Sequence, residues 1–444
     1  MGQRVETLIV GGGVVGVCCA YELARAGAEV TLIERDEPVA PVSSAVYANA
    51  GLLTPGDPYP LASPGVLGKG LKWLLDSGSP FYVAPWADRD LPRWLELFRR
   101  NCREGPMRRG MAVQRALLRR GCDLHQEYAD LAGEAYGYER RGWLMVYESE
   151  DGFAGGRREA EDAAAFGVEW EAVERSRLRE VAPGLRAGLA GGVLYSEDGH
   201  LVPHLFVREL ARLAGETGAD IRTGHEALRI EATGGRVTRV VTTRGVFEPD
   251  TVVLAAGVWT VPVAGQLGLN LPIQAAKGYS LTVPRPEGVP DVPLYATERH
   301  VCVTPMGDVV RLAGTLELAG FDLSVRWRRV ERIREGADRL IAGLGALEPT
   351  EVWRGLRPCT PDGLPIIGRS PRHDNVIVAA GHAMLGLGEG PITGRLVAQL
   401  VAGETPELDL DPLRVDRFPS LVPPIADVVG RGARARGRPP RGEL

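Results

Sequence analysis

Lysine is almost missing from this chain. Three lysines, at positions 69, 72 and 277, stand against forty-nine arginines in 444 residues. Acidic residues outnumber basic ones, 57 to 52, for a formal net charge of −5. The arginines are therefore no basic excess. They read as a genomic base-composition bias, and no nucleic-acid partner is expected. Cysteine is sparse and unpatterned: Cys18, Cys19, Cys102, Cys122, Cys302 and Cys359 form no C-x-x-C and no Cys/His spacing suited to zinc or an iron–sulfur cluster. No metal is expected, and a reduced, cytoplasmic thiol set is. No apolar run approaches the length of a membrane span. The fold begins almost at the N-terminus, which leaves no room for a signal peptide. No repeat of fixed period occurs.

What is present begins at once. Leu8-Ile9-Val10 reads as a short buried strand, followed by Gly11-Gly12-Gly13-Val14-Val15-Gly16, a G-x-G-x-x-G. A helical stretch to Ala26 ends at Gly27, and a second strand, Val30 to Ile33, leads into Glu34. Gly11 permits a tight turn, Gly13 lets the backbone approach a pyrophosphate, and Gly16 lets helix and strand pack closely. The helix start, Val14 and Val15, offers free N–H groups to phosphate. Glu34, 18 residues after Gly16, is placed to accept hydrogen bonds from a ribose diol. The unit predicts a bound dinucleotide and leaves the chemistry open.

Hydrophobic content of 44% and charged content of 25% suit a soluble globular enzyme, and 444 residues suggest two domains. Residues 56–95 are rich in Pro, Gly and Trp and read as a long excursion over a surface or cleft. Leu91 to Ala132 has helical spacing, and Gly142 to Tyr147 reads as a strand. Pro203 to Gly218 reads as a helix, and Asp220–Arg222, Val237–Thr243 and Gly245–Glu248 as strands. Asp250 to Gly257 is another buried strand running into glycine. Tyr279–Val283, Val301–Thr304 and Val309–Gly314 read as strands, then Trp327–Leu344 as a helix. Val376 to Gly381 is a last buried strand before a Gly-rich loop, and Gly390 to Ala402 a last helix.

The expected fold is mixed α/β: a Rossmann-like dinucleotide domain of separated segments, with an interleaved substrate domain on a mixed or antiparallel sheet. Residues 1–80, 190–262 and 350–418 are assigned to the first, and 81–189 and 263–349 to the second. Residues 419–444 form a tail. Its Arg/Gly/Pro-rich end, Gly430 to Leu444, reads as disordered. Peripheral association at the inner face of the membrane, or contact with a second subunit, is the alternative to a solvated tail. A discontinuous dinucleotide domain, with the chain's two ends converging on the ligand, suits FAD better than a nicotinamide.

Several segments resemble the D-amino-acid oxidase superfamily of FAD-dependent oxidoreductases, and within it the bacterial D-amino-acid dehydrogenase small subunits. Ser43-Ser44 and Ala48-Asn49-Ala50-Gly51 match the loop along FAD. Lys277-Gly278-Tyr279-Ser280-Leu281 matches the first strand of the substrate sheet. Gly355-Leu356-Arg357-Pro358-Cys359-Thr360-Pro361-Asp362-Gly363 matches a nine-residue signature. Ala380-Gly381-His382 through Gly386-Leu387-Gly388 matches the C-terminal flavin loop. The likeness spans about residues 4–418.

The resemblance implies FAD held without a covalent link, Cys359 not matching the cysteine used for one. The expected contacts are Gly11, Gly13, Val14, Val15, Gly16, Glu34, Arg35, Ser43, Ser44, Asn49, Ala50, Gly51, Leu52, Ala256, Gly257, Trp259, Gly381, His382, Gly386, Leu387 and Gly388. It also implies that Arg357 grips an amino-acid carboxylate through two parallel hydrogen bonds. Tyr279 is a candidate catalytic or substrate-contacting phenol, or a half-buried strand residue. Arg311 is a candidate substrate contact, or a paired structural arginine. His382 is expected to shape the flavin loop, not to act as a base. The tryptophans Trp73, Trp86 and Trp94 either cover the active site or a partner surface, or pack a long loop.

The reaction implied is oxidation of a D-amino acid, or a cyclic imino acid, at the α-carbon by hydride transfer to flavin N5. The imino acid then hydrolyses to a 2-oxo acid and ammonia. The electron acceptor is a quinone, another carrier or O₂. The alternatives are a glycine-, sarcosine- or proline-type oxidase and a flavoprotein subunit of a heteromeric dehydrogenase.

Overall fold

The computed structural model describes residues 2–37, 44–66, 68, 81–84 and 90–419. Ser43, Trp73, Trp86 and the tail from residue 420 lie outside the described residues.

One sheet is built on the N-terminal fingerprint. Its parallel strands run in the order Asp220–Arg222, Val30–Ile33, Gln3–Val10, Gly245–Leu254 and Val376–Ala380. Ile366–Arg369 adds antiparallel to the last of them, and the hairpin Ala227–Thr233/Arg236–Thr242 extends the lower end. The strands VTLI and VIVAA are buried throughout, as parallel strands covered on both faces must be. Residues 245–254 form one strand, where the sequence suggests two separated at Pro249. The structure shows why proline is tolerated. Residues 245–247 pair with the hairpin, residues 252–254 pair with Val376–Ala380, and Pro249 falls between those neighbours.

Helices Val14–Arg25 and Gly386–Ala402 pack against each other over this sheet. Glycine permits the approach: a Cβ on Gly394 would overlap the Cys18 backbone, and one on Gly390 would sit 3.2 Å from the Cys18 sulfur. The C-terminal helix starts at Gly386, four residues earlier than the sequence suggests. Pro391 thus lies inside it and gives Leu387 no intrahelical donor. His125 replaces that donor, its Nε2 lying 2.9 Å from the Leu387 carbonyl. Burial pushes the His125 pKa down to about 4, so the imidazole is neutral.

The second sheet runs Glu351–Cys359, Gln274–Pro284, Val309–Leu318, Val301–Met306, Leu294–Ala296, Trp143–Tyr147, Gly191–Tyr195 and Glu171–Glu174, with Phe81–Val83 paired to Val309–Leu318. It is mixed: Leu294–Ala296 pairs in parallel with Trp143–Tyr147 and Phe81–Val83 in parallel with Val309–Leu318, and the other strand pairs are antiparallel. Helix Trp327–Leu340 covers one face through Val330, Ile333, Ala337 and Leu340.

The expected mixed α/β class holds, and the segment boundaries shift. Strands Gly191–Tyr195 and Glu351–Cys359 belong to the second sheet, not to the dinucleotide segments that start at 190 and 350. Helix Glu104–Ala132, expected on the substrate side, contributes Leu117, Cys122, Leu124 and Tyr128 to the core beneath the first sheet. Its Gly121 lies against Gly388, where any side chain would meet the backbone.

Candidate active site

The fingerprint forms a cradle. Gly11 has φ +112°, and a Cβ there would come within 2.7 Å of the Ala255 carbonyl and of the Ala256 Cα. Any side chain on Gly16 would overlap the Gly11 carbonyl. Gly13 is the opposite case: a Cβ there meets no atom within 4 Å. Open space therefore lies beside the start of helix Val14–Arg25, whose first amides lack intrahelical acceptors. Glu34 is aimed into the turn, one carboxylate oxygen accepting from Gly12 N at 2.6 Å and the other from Asp36 N at 3.2 Å. The Arg35 guanidinium stacks over Trp259 at 4.4 Å, and Trp259 stacks on Phe321. Gly257 turns the chain at φ +57°.

The second loop is tied to the substrate sheet. Asn49 Oδ1 accepts from Gly51 N at 2.7 Å, Ser44 Oγ accepts from Val46 N at 3.4 Å, and Gly51 has φ +73°. The Ala48 carbonyl accepts from Ser280 Oγ at 2.6 Å. Ala50 completes this turn, and Leu52 pairs with His200.

The C-terminal loop brings a second helix start to the same place. Gly381 has φ +82° and Ala383 has φ +46°, with the Ala383 amide donating to the Pro358 carbonyl. A Cβ on Gly386 would lie 3.2 Å from the His382 Cβ and 3.9 Å from Val14. The N-terminal ends of two helices, one preceded by Gly13 and one opening at Gly386-Leu387-Gly388, thus face a common space. Their partial positive charges add there. His382 is buried and held by Thr393. The Thr393 hydroxyl donates to the Glu389 carbonyl, so His382 Nε2–H donates to Thr393 Oγ1 at 2.9 Å. Burial pushes its pKa down to about 3. It shapes the loop as a neutral ring.

The face of the second sheet away from helix Trp327–Leu340 carries Arg357. The guanidinium lies over Gly278, in the space a side chain there would need. Arg357 Nη1 donates to the Thr315 carbonyl at 2.9 Å. Thr315 has φ +65° and sits at a register shift between strands Gln274–Pro284 and Val309–Leu318. This bulge turns its carbonyl to the guanidinium. Among the described residues no carboxylate lies within ion-pair distance of Arg357, which is half-buried. The strand end beside it is closed by Trp94, whose Nε1 donates to the Cys359 carbonyl at 2.9 Å while its ring stacks on Phe98.

Two candidates are placed elsewhere. Tyr279 points to the opposite face, because side chains alternate along a strand and Ser280 takes the cofactor side. Its hydroxyl donates to Glu317 at 3.0 Å and accepts from Arg326 N at 3.3 Å. There Glu317, with no exposed surface, also binds Arg329 at 2.8 Å and lies 3.5 Å from the buried ammonium of Lys277. Tyr279 is therefore part of a buried charge network behind the sheet. Arg311 shares the Arg357 face but not its location. Ala276 pairs with Arg357 and Thr282 with Arg311, so the two attach about 20 Å apart along one strand. Arg311 reaches the Asn49 carbonyl at 3.5 Å, and burial pushes its pKa down, with Glu351 offsetting part of that. It braces the cofactor loop. Asp362 of the signature is likewise structural, bound by Arg417 at 2.8 and 3.0 Å.

The open cradle at Gly13, the acid at Glu34 and the paired helix starts fit a dinucleotide. A family model described as DAO, FAD-dependent oxidoreductase, matches residues 6–400. The chain belongs to that family. A D-amino acid dehydrogenase of Cereibacter sphaeroides is 35% identical over 425 residues, covering 93% of this chain and 95% of that protein. One from Agrobacterium fabrum is 34% identical over 423 residues, covering 93% and 100%. Among solved structures, glycine oxidase from Geobacillus kaustophilus superposes with a TM-score of 0.75 at 24% identity, covering 94% of this chain and 100% of that one. L-proline dehydrogenase from P. horikoshii gives 0.71 at 21% identity, covering 94% and 98%. This DAO-family chain is thus an FAD-dependent oxidoreductase, and the fold is that of its structural neighbours. None of its described helices is long and apolar enough to cross a membrane.

The sequence alone did not single out Thr315, His125 or the network of Lys277, Glu317 and Arg329. A lone lysine in an arginine-rich chain, inside an apolar strand, was the available signal for the last.

Proposed function

We propose that this protein oxidises the α-carbon of a D-amino acid, as its curated relatives' name implies, with Arg357 as the carboxylate anchor. The observation that carries this is a half-buried guanidinium with a fixed backbone contact and no acidic partner among the described residues. Such a group is poised for a ligand carboxylate, which it can grip by two parallel hydrogen bonds. FAD, when bound, supplies the two-electron acceptor for the α-hydrogen.

The chain's own residues position and exclude. Arg357 fixes one end of the substrate, and the Thr315 carbonyl fixes Arg357. Trp94 and Phe98 shut the strand end from water. His382 is neutral and engaged with Thr393, so it is not the group that takes the amine proton, and hydride loss from the α-carbon draws on the neutral-amine form of the substrate. Negative charge developing near the two helix starts is stabilised by their amides. The imino acid released hydrolyses in water to a 2-oxo acid and ammonia. We assign the electrons to a carrier such as a quinone in preference to O₂, on the dehydrogenase name of the relatives. Delivery to a membrane quinone would place the protein peripherally at the inner face.

The test is spectral. D-alanine, D-proline and glycine are added anaerobically to the purified holoprotein without NAD. Bleaching of the flavin by a D-amino acid, with slow recovery on admitting O₂, is expected. A flavin that no amino acid bleaches would end this reading, and fast recovery would make the protein an oxidase.

A further inference from the structure

The two sheets send segments towards each other beside the fingerprint. Strand Gly245–Leu254 of the first sheet runs out into the short turn Gly257–Trp259. Strand Val309–Leu318 of the second sheet runs out through Gly320, at φ +60°, into residues 319–326, ahead of helix Trp327–Leu340. In this segment the Phe321 ring stacks on Trp259, with centroids 4.6 Å apart and planes inclined at 29°. The same indole carries the Arg35 guanidinium at 4.4 Å. Arg35 directly follows Glu34, the acid of the fingerprint. One ring from the substrate sheet thus reaches the end of strand Val30–Ile33 through a stack of three side chains.

The base of this segment is pinned to the substrate sheet. Asp322 Oδ1 accepts from Ser324 N at 2.9 Å, and Oδ2 accepts from Ser324 Oγ at 2.8 Å and from Lys277 Nζ at 3.1 Å. Lys277 also donates to the Ser324 carbonyl at 2.8 Å, and Arg354 Nε to the Leu323 carbonyl at 3.0 Å. Leu323 packs against the cluster of Val258, Ala275 and Leu356. Phe321 stands out from this base with 46% of its surface exposed. A fixed base and a glycine turn set an otherwise solvated ring on one indole.

We infer that residues 319–326 form a strap beside the adenosine end of the FAD site, and that Phe321, acting through Trp259 and Arg35, is a positioning residue that slows FAD release. This rests on the reading of Glu34 as the ribose acid. Stacking keeps the indole and the guanidinium in one pose, so the chain end that carries Glu34 is ordered before FAD arrives. Without the ring, FAD itself must order both side chains, and it binds less tightly. The coupling is reciprocal: a strap that tightens FAD is tightened by FAD.

The experiment dilutes holoprotein into flavin-free buffer and takes the rate of FAD release from the rise in flavin fluorescence. Phe321→Ala is expected to release FAD about threefold to tenfold faster than wild type. Phe321→Tyr keeps a stacking ring and should release it near the wild-type rate. Leu228→Ala removes another exposed apolar side chain, from strand Ala227–Thr233, and should leave release unchanged. A wild-type rate in Phe321→Ala, or an equal acceleration in Leu228→Ala, would overturn the inference. Hydrogen exchange on the wild type decides the matter even if a variant fails to fold. Amides of residues 319–326 should exchange more slowly in holoprotein than in apoprotein, and equal exchange would overturn the strap while leaving the ribose reading standing. FAD held as tightly by Glu34→Gln as by wild type would remove the ribose reading, and the inference with it.

Discussion

The guanidinium of Arg357 occupies the volume that a side chain at Gly278 would need. Glycine here is set by a neighbour's side chain, not by its own backbone. Because the clash is with the end of a flexible arginine, Gly278→Ala should fold and should push Arg357 off its seat. The expected outcome is a rise in KM for the amino acid of about tenfold, with FAD content and melting temperature close to wild type. Steady-state kinetics beside a flavin spectrum check this. An unchanged KM would mean that Arg357 does not hold the substrate from this position.

Replacing the anchor itself separates charge from geometry. Arg357→Lys keeps the charge and loses the planar fork, while Arg357→Ala loses both. Charged hydrogen bonds contribute about 1.5–3 kcal/mol each, so Arg357→Ala should raise KM about a hundredfold with FAD retained. Arg357→Lys should fall between. Equal kinetics for the lysine variant and the wild type would show that a point charge suffices.

Legibility in the sequence followed the physics of each part. The βαβ unit was readable because its glycines serve local backbone needs, and strand Val30–Ile33 appears where the pattern put it. Arg357 is singled out among forty-nine arginines by the nine-residue signature it sits in, with its flanking glycine and prolines, and its proposed role as anchor comes from that resemblance. Tyr279 was not, because the face on which it lies depends on pairing with a strand more than seventy residues away. The same holds for the partnership of Pro391 and His125. A proline inside a helix is legible as a fault, but the residue that repairs it belongs to another helix.

That repair makes an acid-stability prediction. His125 has a folded pKa of about 4 against an ordinary 6.5, lowered by burial. Below the ordinary value the unfolded chain takes up a proton that the folded chain refuses, so stability is lost as pH falls from about 6.5 towards 4. His382, lowered to about 3, adds to the same loss. His125→Gln keeps an N–H donor for the Leu387 carbonyl and cannot titrate. The melting temperature of the variant should decline less steeply over this window than that of the wild type. Thermal melts at half-unit pH steps measure it, and parallel slopes would show that His125 is not buried neutral.

The packing of helix Gly386–Ala402 on helix Val14–Arg25 sets Gly394 against Gly215 of helix Pro203–Glu216, two glycines with opposite responses. At Gly394 a Cβ would overlap the Cys18 backbone and lie 3.1 Å from the Cys19 amide. Neither is a flexible side-chain end, so Gly394→Ala must part the helices. Overpacking of this kind is destabilising by about 1–3 kcal/mol. At Gly215, in helix Pro203–Glu216, a Cβ meets nothing within 4 Å, so Gly215→Ala should stabilise by about 0.5–1 kcal/mol through helix propensity alone. The first change moves a helix whose start faces the Gly13 cradle, and the second does not. Flavin fluorescence on heating should therefore show FAD leaving Gly394→Ala well below the wild-type temperature, while Gly215→Ala releases it no earlier than wild type. Release at the wild-type temperature from Gly394→Ala would mean that the two helix starts do not hold the cofactor together.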